Sequence, residues 1–243
     1  MWDEVWKSPR SRFVLSTKSI PMKRNINQII VAGVIAAVST TAFADSFDIK
    51  ISGKVKPGAC TPVLVGGGIF DYGNIGSAEL SPTSHTLLKT MSDTLTITCD
   101  AAARVALKVV DNRAGTGAFS GNIAFFGLSV PPIMHHGLGT ASSKNIGAYA
   151  YRFTPGSFQA DGVAVDSIYS STSGSTWGSS NGLANPSDTS LESWSKKGQS
   201  TPVAAKVFTG KLEVQAAIDK TTNLDMSQEI DLDGLATVSL VYL

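Results

Sequence analysis

The sequence predicts an all-β protein, an antiparallel β-sandwich. Three observations carry that prediction. Apolar residues recur with period 2 in several short stretches, the signature of strands with one buried face. No amphipathic helical period of useful length follows residue 44. Gly- and Pro-containing turns separate the stretches, as in sandwiches built from short strands.

The terminal segment Asp231 to Leu243 is the clearest of them. Tyr242, Leu240, Val238, Ala236, Gly234 and Leu232 fall on one face. Val241, Ser239, Thr237, Leu235 and Asp233 fall on the other. The chain stops inside this strand, and chain ends fray unless something pins them. The strand is therefore expected to meet a partner.

From the start of the chain, Met22 to Arg24 is basic, Ile29 to Val38 is a ten-residue run of apolar residues and Gly, and Ala42-Phe43-Ala44 is a small-x-small site. Together these predict a secretory signal peptide over 22–44, with cleavage before Asp45 or, alternatively, after Ser39. The apolar run is about half the ~20 residues that a membrane-spanning helix needs. Residues 1–21 precede the basic region and are expected to reflect a start placed too early. Residues 1–44 hold six of the 20 Lys/Arg and two of the 19 Asp/Glu, so residues 45–243 keep 14 and 17, a net charge of −3. That balance excludes the concentrated basic surface of a nucleic-acid binder. The predicted destination is export across the inner membrane to the periplasm.

The two cysteines, Cys60 and Cys99, both lie in the exported part. In an oxidising compartment the simplest reading is a disulfide; a redox or metal pair would be expected at CxxC spacing.

Phe47 to Lys56 alternates through Phe47, Ile49, Ile51, Gly53 and Val55 and predicts the first strand, ended by Pro57-Gly58. Leu95, Ile97 and Cys99 mark a second strand, and Val105, Leu107 and Val109 a third. Residues 113–202 give weaker signals, with strand candidates at Ile123–Val130, Ala148–Phe153 and Val163–Tyr169. Within them, 18 of the 31 residues from Ser170 to Ser200 are Ser, Gly or Thr, which predicts a mobile loop, pinned if anywhere at Trp177 and Trp194. Val203 to Ile218 holds the longest alternation, through Phe208, Gly210, Leu212, Val214, Ala216 and Ile218.

Several landmarks coincide with those of a known family. Gly53 precedes Cys60 by seven residues. Phe70-Asp71-Tyr72-Gly73 and Leu80 follow, then Cys99 at the end of a Leu-Thr-Ile-Thr strand and a penultimate Tyr242. With these residues the chain resembles chaperone–usher pilin subunits over about 45–112 and 203–243. It is most similar to the beta-fimbrial branch known as domain of unknown function 1120, through Leu95 to Arg113 with its ending Ala-Leu-Lys-Val-Val-Asp-Asn-Arg. The resemblance implies an immunoglobulin-like sandwich that lacks its last strand, with 113–202 as long loop insertions.

It also implies assembly by donor-strand complementation. A periplasmic fimbrial chaperone would fill the groove between the first and last strands. A neighbouring pilus subunit would replace it at the outer-membrane usher, by β-strand addition. The implied groove residues are Phe47, Ile49, Ile51, Gly234, Ala236, Val238, Leu240, Tyr242 and Leu243, with the Leu243 carboxylate gripped by the chaperone. Only Asp45 and Ser46 precede Phe47, too little for a donor extension, so the expected place is a fibre tip or outside a fibre.

Other chemistry reads weakly. Gly178-Ser179-Ser180-Asn181-Gly182 matches the nucleophile-elbow pattern but sits in a Ser/Gly-rich stretch without the required strand and helix. His135-His136, with His85 the only other histidine, is expected to be a solvated loop pair rather than a metal site. Gly115-Thr116-Gly117 lacks the third glycine of a dinucleotide loop. Trp177 and Trp194 could stack on a host or surface glycan as a tip adhesin or a free-standing periplasmic ligand-binding protein would require. They are expected instead to staple their loop. The expectation is a non-enzymatic protein without cofactor or metal.

Overall fold

A computed structural model describes residues 48–54 and 58–243 of the 243-residue chain. The signal-peptide expectation over 22–44, and Phe47 and Val55 of the expected first strand, lie outside the described residues. The chain divides into two units, 1–53 and 54–243.

In the first unit, Asp48 to Gly53 forms no strand, and Ile49 and Ile51 are 79% and 94% exposed. For the described residues 48–54 this corrects the expectation of a first sheet strand at Phe47–Lys56. The alternation there is real, but it records an amphipathic extended segment without naming what it pairs with.

The second unit is all-β. Eight strands have five residues or more: β1 (Cys60–Leu64), β2 (Met91–Ala103), β3 (Val105–Asp111), β4 (Gly147–Phe153), β5 (Val163–Ser170), β6 (Leu191–Lys196), β7 (Ala205–Ile218) and β8 (Ala236–Tyr242). All their pairings are antiparallel. The sheet path runs β1-β2-β7, through the short strand Gln159–Ala160, to β5-β6-β3-β8, with β4 paired along the second half of β7. It folds over on itself as a nearly closed, barrel-like sandwich, with β1, β2, β7 and β4 in one layer and β5, β6, β3 and β8 in the other.

The layers meet through one core. Leu95 and Ile97 of β2, Val105 and Leu107 of β3, Tyr151 and Phe153 of β4, Trp194 of β6 and Phe208 and Leu212 of β7 are buried in it. The switch between layers is abrupt: β2 and β3 are separated by Arg104 alone, whose Nε donates to the Pro202 carbonyl at 3.0 Å. Gly210 sits where a Cβ would lie 2.4 Å from the Phe158 ring, so only glycine admits that ring against β7.

The disulfide joins Cys60 and Cys99, directly opposite each other in the β1–β2 ladder. It fastens edge strand β1 to the sheet across a separation of 39 residues. Replacing both cysteines with serine is expected to lower stability by roughly 2–4 kcal/mol through the freed unfolded chain. A lowered urea midpoint, with the m-value raised as the unfolded chain opens, would register it.

The middle of the chain departs furthest from expectation. Ser170–Ser200 is not a structureless loop. It contributes β6, paired with β5 from Val165↔Lys196 to Ser170↔Leu191 and with β3 at Glu192↔Leu107. Ile123–Val130 is a turn closed by a bridge between its end residues rather than a strand. Beneath it, Ile123, Phe125, Val130, Ala150, Leu183 and Ala217 form a second small core. Ala148–Phe153, Val163–Tyr169 and the alternation ending at Ile218 correspond to β4, β5 and β7.

Candidate functional site

Among the described residues the sheet path leaves two edges unpaired: β1 pairs only with β2, and β8 only with β3. Between these edges opens a cavity of ≈ 220 Å³. Leu64 of β1 and Ala236 and Val238 of β8 line it, with Tyr149, Tyr151, Leu212 and Val214 among its interior walls. The walls are mostly apolar, in a place where a further strand would complete the barrel. Pro62 lies within β1, and proline is tolerated in a strand chiefly at an edge.

Phe70 and Tyr72 of the Phe-Asp-Tyr-Gly segment also face this cavity. Tyr72 Oη accepts the Ala216 N–H at 3.1 Å, which ties the segment to β7. Burial pushes the Tyr72 phenol up from its ordinary pKa. Asp71 accepts the Gly73 N–H at 2.7 Å in the turn that follows, where Gly73 has φ +65°.

The β8 wall is held by Asn112 and Arg113, just past the end of β3, and Asp111 at that end ties in the neighbouring Gly137. Asp111 Oδ2 accepts the Gly137 N–H at 3.0 Å. Asn112 Nδ2 donates to Thr237 Oγ1 at 2.8 Å. Arg113 Nε and Nη2 donate to the two Asp233 carboxylate oxygens, each at 2.7 Å. The fork geometry fixes the chain just before β8 in angle as well as distance. The Asp233 carboxyl is held below its usual range by the Arg113 hydrogen bonds. The sequence marked this Asp-Asn-Arg triplet as a family landmark, but its role as a clamp depends on a partner 120 residues away.

The sequence-derived groove residues separate accordingly. Gly234, Ala236 and Val238 line the cavity, and Leu240 packs against the core. Tyr242 lies across the gap: its hydroxyl accepts the Cys60 N–H at 2.7 Å, so the two edges touch at that end. Leu243 is 47% exposed. Ile49 and Ile51 belong to no strand; the wall expected of them is supplied by β1 instead.

Trp194 is 1% exposed, stacked on Phe158 with centroids 4.7 Å apart and set beside Phe208 at 5.2 Å. It is a core residue and offers no face to a glycan. Trp177 is half-buried. A Cβ at Gly174 would lie 3.6 Å from side-chain atoms of Trp177, Leu191 and Leu243, which puts the indole near the end of β8.

The histidine pair is also buried, against the expectation of a solvated loop. His135 Nε2 bonds the Val130 carbonyl at 2.9 Å. His136 is fully enclosed between Tyr149 and Tyr151. Burial pushes the His136 pKa down to about 4. Among the described residues no group of three or more His, Cys, Asp or Glu could hold a metal ion.

Ser180 follows the two-residue strand Gly178–Ser179 with no helix after it, and its partner is a carboxyl rather than an imidazole. Its Oγ lies 2.8 and 3.1 Å from the two oxygens of Glu192. The elbow geometry is absent.

Comparison with known proteins agrees with these landmarks. The family model described as protein of unknown function (DUF1120) matches residues 49–150. The chain is 34% identical to Protein GltF of Escherichia coli (strain K12), over 87% of this chain and 96% of that protein. It is 28% identical to Uncharacterized protein YhcF of the same strain, over 90% of this chain and 99% of that protein. The extent of these matches, through the disulfide strands, the Asp-Asn-Arg clamp and the sheet itself, means that this chain belongs to the DUF1120 family.

Proposed function

We propose that this protein is a fimbrial subunit, or a fimbrial-like exported protein, that works by accepting a strand into the groove between β1 and β8. A periplasmic chaperone supplies that strand first, and a neighbouring subunit afterwards at an outer-membrane usher. The observation that carries the reading is the pair of unpaired edges facing one another across an apolar cavity. Open backbone donors and acceptors supply main-chain hydrogen bonds to an added strand, and alternate pockets select its side chains. Left open, the same edges are a liability for aggregation.

A second observation extends the reading. Among the described residues the first strand begins at Cys60, and residues 48–54 of the Phe47–Lys56 alternation belong to no strand. Its Ile49 and Ile51 are exposed on alternate positions, which is the pattern a donor strand presents. On this reading the subunit both accepts and donates a strand, which favours a place along a fibre over a fibre tip or a place outside one.

The test is to express residues 22–243 in a bacterial periplasm with a tagged fimbrial chaperone. A one-to-one complex is expected, and it should be lost when Tyr242 and Leu243 are removed. A lone monomer with a cooperative melt, indifferent to the chaperone, would overturn the proposal.

A further inference from the structure

A second cavity, of ≈ 480 Å³, lies away from the groove. Tyr169 of β5, Ser180, Asn181, Glu192 of β6 and Met134 are among its walls. The Glu192 side chain belongs to a residue only 5% exposed, in the middle of the sheet. Ser180 Oγ is its hydrogen-bond partner, 2.8 and 3.1 Å from the two oxygens.

One hydroxyl carries one proton, so Ser180 can donate to only one of those oxygens at a time. The same Ser180 oxygen already accepts the Gly182 N–H at 2.9 Å. Once Glu192 is ionised, its second oxygen is therefore short of a donor, which is costly for a buried carboxylate. The ion pairs of the described residues are Lys108–Asp188, Arg113–Asp233 and Arg152–Glu213, and none involves Glu192. No Lys, Arg or His lines the cavity. Its remaining surface includes an aromatic ring and a thioether, both compatible with a positive charge.

We propose that this cavity binds a small organic cation bearing a primary ammonium, with Glu192 as its counter-ion and Tyr169 and Met134 as its soft walls. An ammonium brings three N–H donors and the missing positive charge together. An anion would meet a carboxyl with no cation beside it. A divalent metal would find one carboxylate where it needs several oxygen ligands. A neutral polyol would fill the hydrogen-bond deficit and gain nothing from charge.

The cation must compete with a proton, since burial pushes the Glu192 pKa up to about 8. Binding therefore releases a proton and strengthens as pH rises. With a midpoint near 8, the ionised fraction, and with it the affinity, rises roughly twenty-fold from about pH 6.5 to about pH 8.5.

The experiment is calorimetric titration of the full exported chain with ethylammonium and with 1,4-diaminobutane at those two pH values and constant ionic strength, with methyl glucoside as the neutral probe. Amine binding is expected, about twenty-fold tighter at the higher pH, and lost in Glu192→Gln with its cooperative melt retained. Carbon-13 titration of the wild-type carboxyl gives an independent reading, with its midpoint falling when ethylammonium is added. Amine binding that survives Glu192→Gln, glucoside binding indifferent to pH, no amine binding at either pH, or a midpoint that ethylammonium leaves unmoved would each overturn the proposal.

Discussion

Replacing Trp194 with alanine is expected to remove roughly 3–5 kcal/mol of stability, a large share of what holds a domain of this size folded. The indole is 1% exposed and lies in a cage of three aromatic rings. Phe158 stacks on it with planes 25° apart, Phe208 lies at 5.2 Å, and Phe153 meets it edge-on at 6.5 Å. These rings come from three different segments, so the cavity left by alanine cannot close by the shift of one element. Trp194 also stands on β6, which is the strand that joins β5 to β3. Deleting 170–200 would therefore open the sheet, whereas a dispensable loop would leave the fold intact. Trp177→Ala is the matched control: its indole is half-buried, and its loss should cost about 1 kcal/mol or less. Urea denaturation of the two variants decides between them. Equal, small losses would mean that Trp194 is a loop staple after all.

The contrast between these two tryptophans shows what the sequence could and could not reveal. β2, β7 and β8 were legible because each presents one apolar face to one core: Leu95 and Ile97, Phe208 and Leu212, Ala236 and Leu240. β6 reads Leu-Glu-Ser-Trp-Ser-Lys and defeats that logic. Its first five residues are buried on both faces, and its serines are satisfied individually. Ser193 Oγ donates to the Val105 carbonyl at 2.7 Å and Ser195 Oγ to the Gln199 carbonyl at 2.6 Å. Composition suggested a segment unable to offset its ordering entropy. The aromatic cage around Trp194 provides that offset, and its members, Phe153, Phe158 and Phe208, are scattered in sequence. The β8 wall of the groove was readable from alternation alone. Its β1 wall was not, because Phe47–Lys56 alternates more convincingly than Cys60–Leu64, whose burial is broken by exposed residues. The Ser180–Glu192 pair was invisible because it depends on bringing β5, β6 and the turn after Gly178–Ser179 together.

Glu192→Gln is expected to stabilise the protein at neutral and alkaline pH, and the pH dependence of stability identifies why. The folded-state pKa of Glu192 is raised from 4.5 to about 8, first by burial, with the Ser180 hydrogen bond opposing. Below about pH 4.5 both folded and unfolded states hold the proton, so the buried neutral carboxyl costs nothing electrostatically. Between 4.5 and 8 the unfolded chain ionises while the folded one does not, so stability falls as pH rises, by on the order of 4–5 kcal/mol once above 8. His136 acts on the other flank. Burial lowers its folded pKa from 6.5 to about 4, so its stabilisation is complete above 6.5 and is lost as pH falls towards 4, by about 3 kcal/mol. The two slopes oppose each other between about 4.5 and 6.5 and nearly cancel. The wild type should therefore show a plateau there, with an acid limb from His136 and an alkaline limb from Glu192. Glu192→Gln keeps the side chain's shape and an acceptor for Ser180, removes the ionisation, and should erase the alkaline limb and extend the acid limb, so that stability rises from about pH 4 to about pH 6.5 where the wild type is flat. Unfolding free energies by urea across pH 4 to 9 test this directly. An alkaline limb that persists in Glu192→Gln would show that some other group titrates there, and that Glu192 is already ionised, and compensated, in the folded protein.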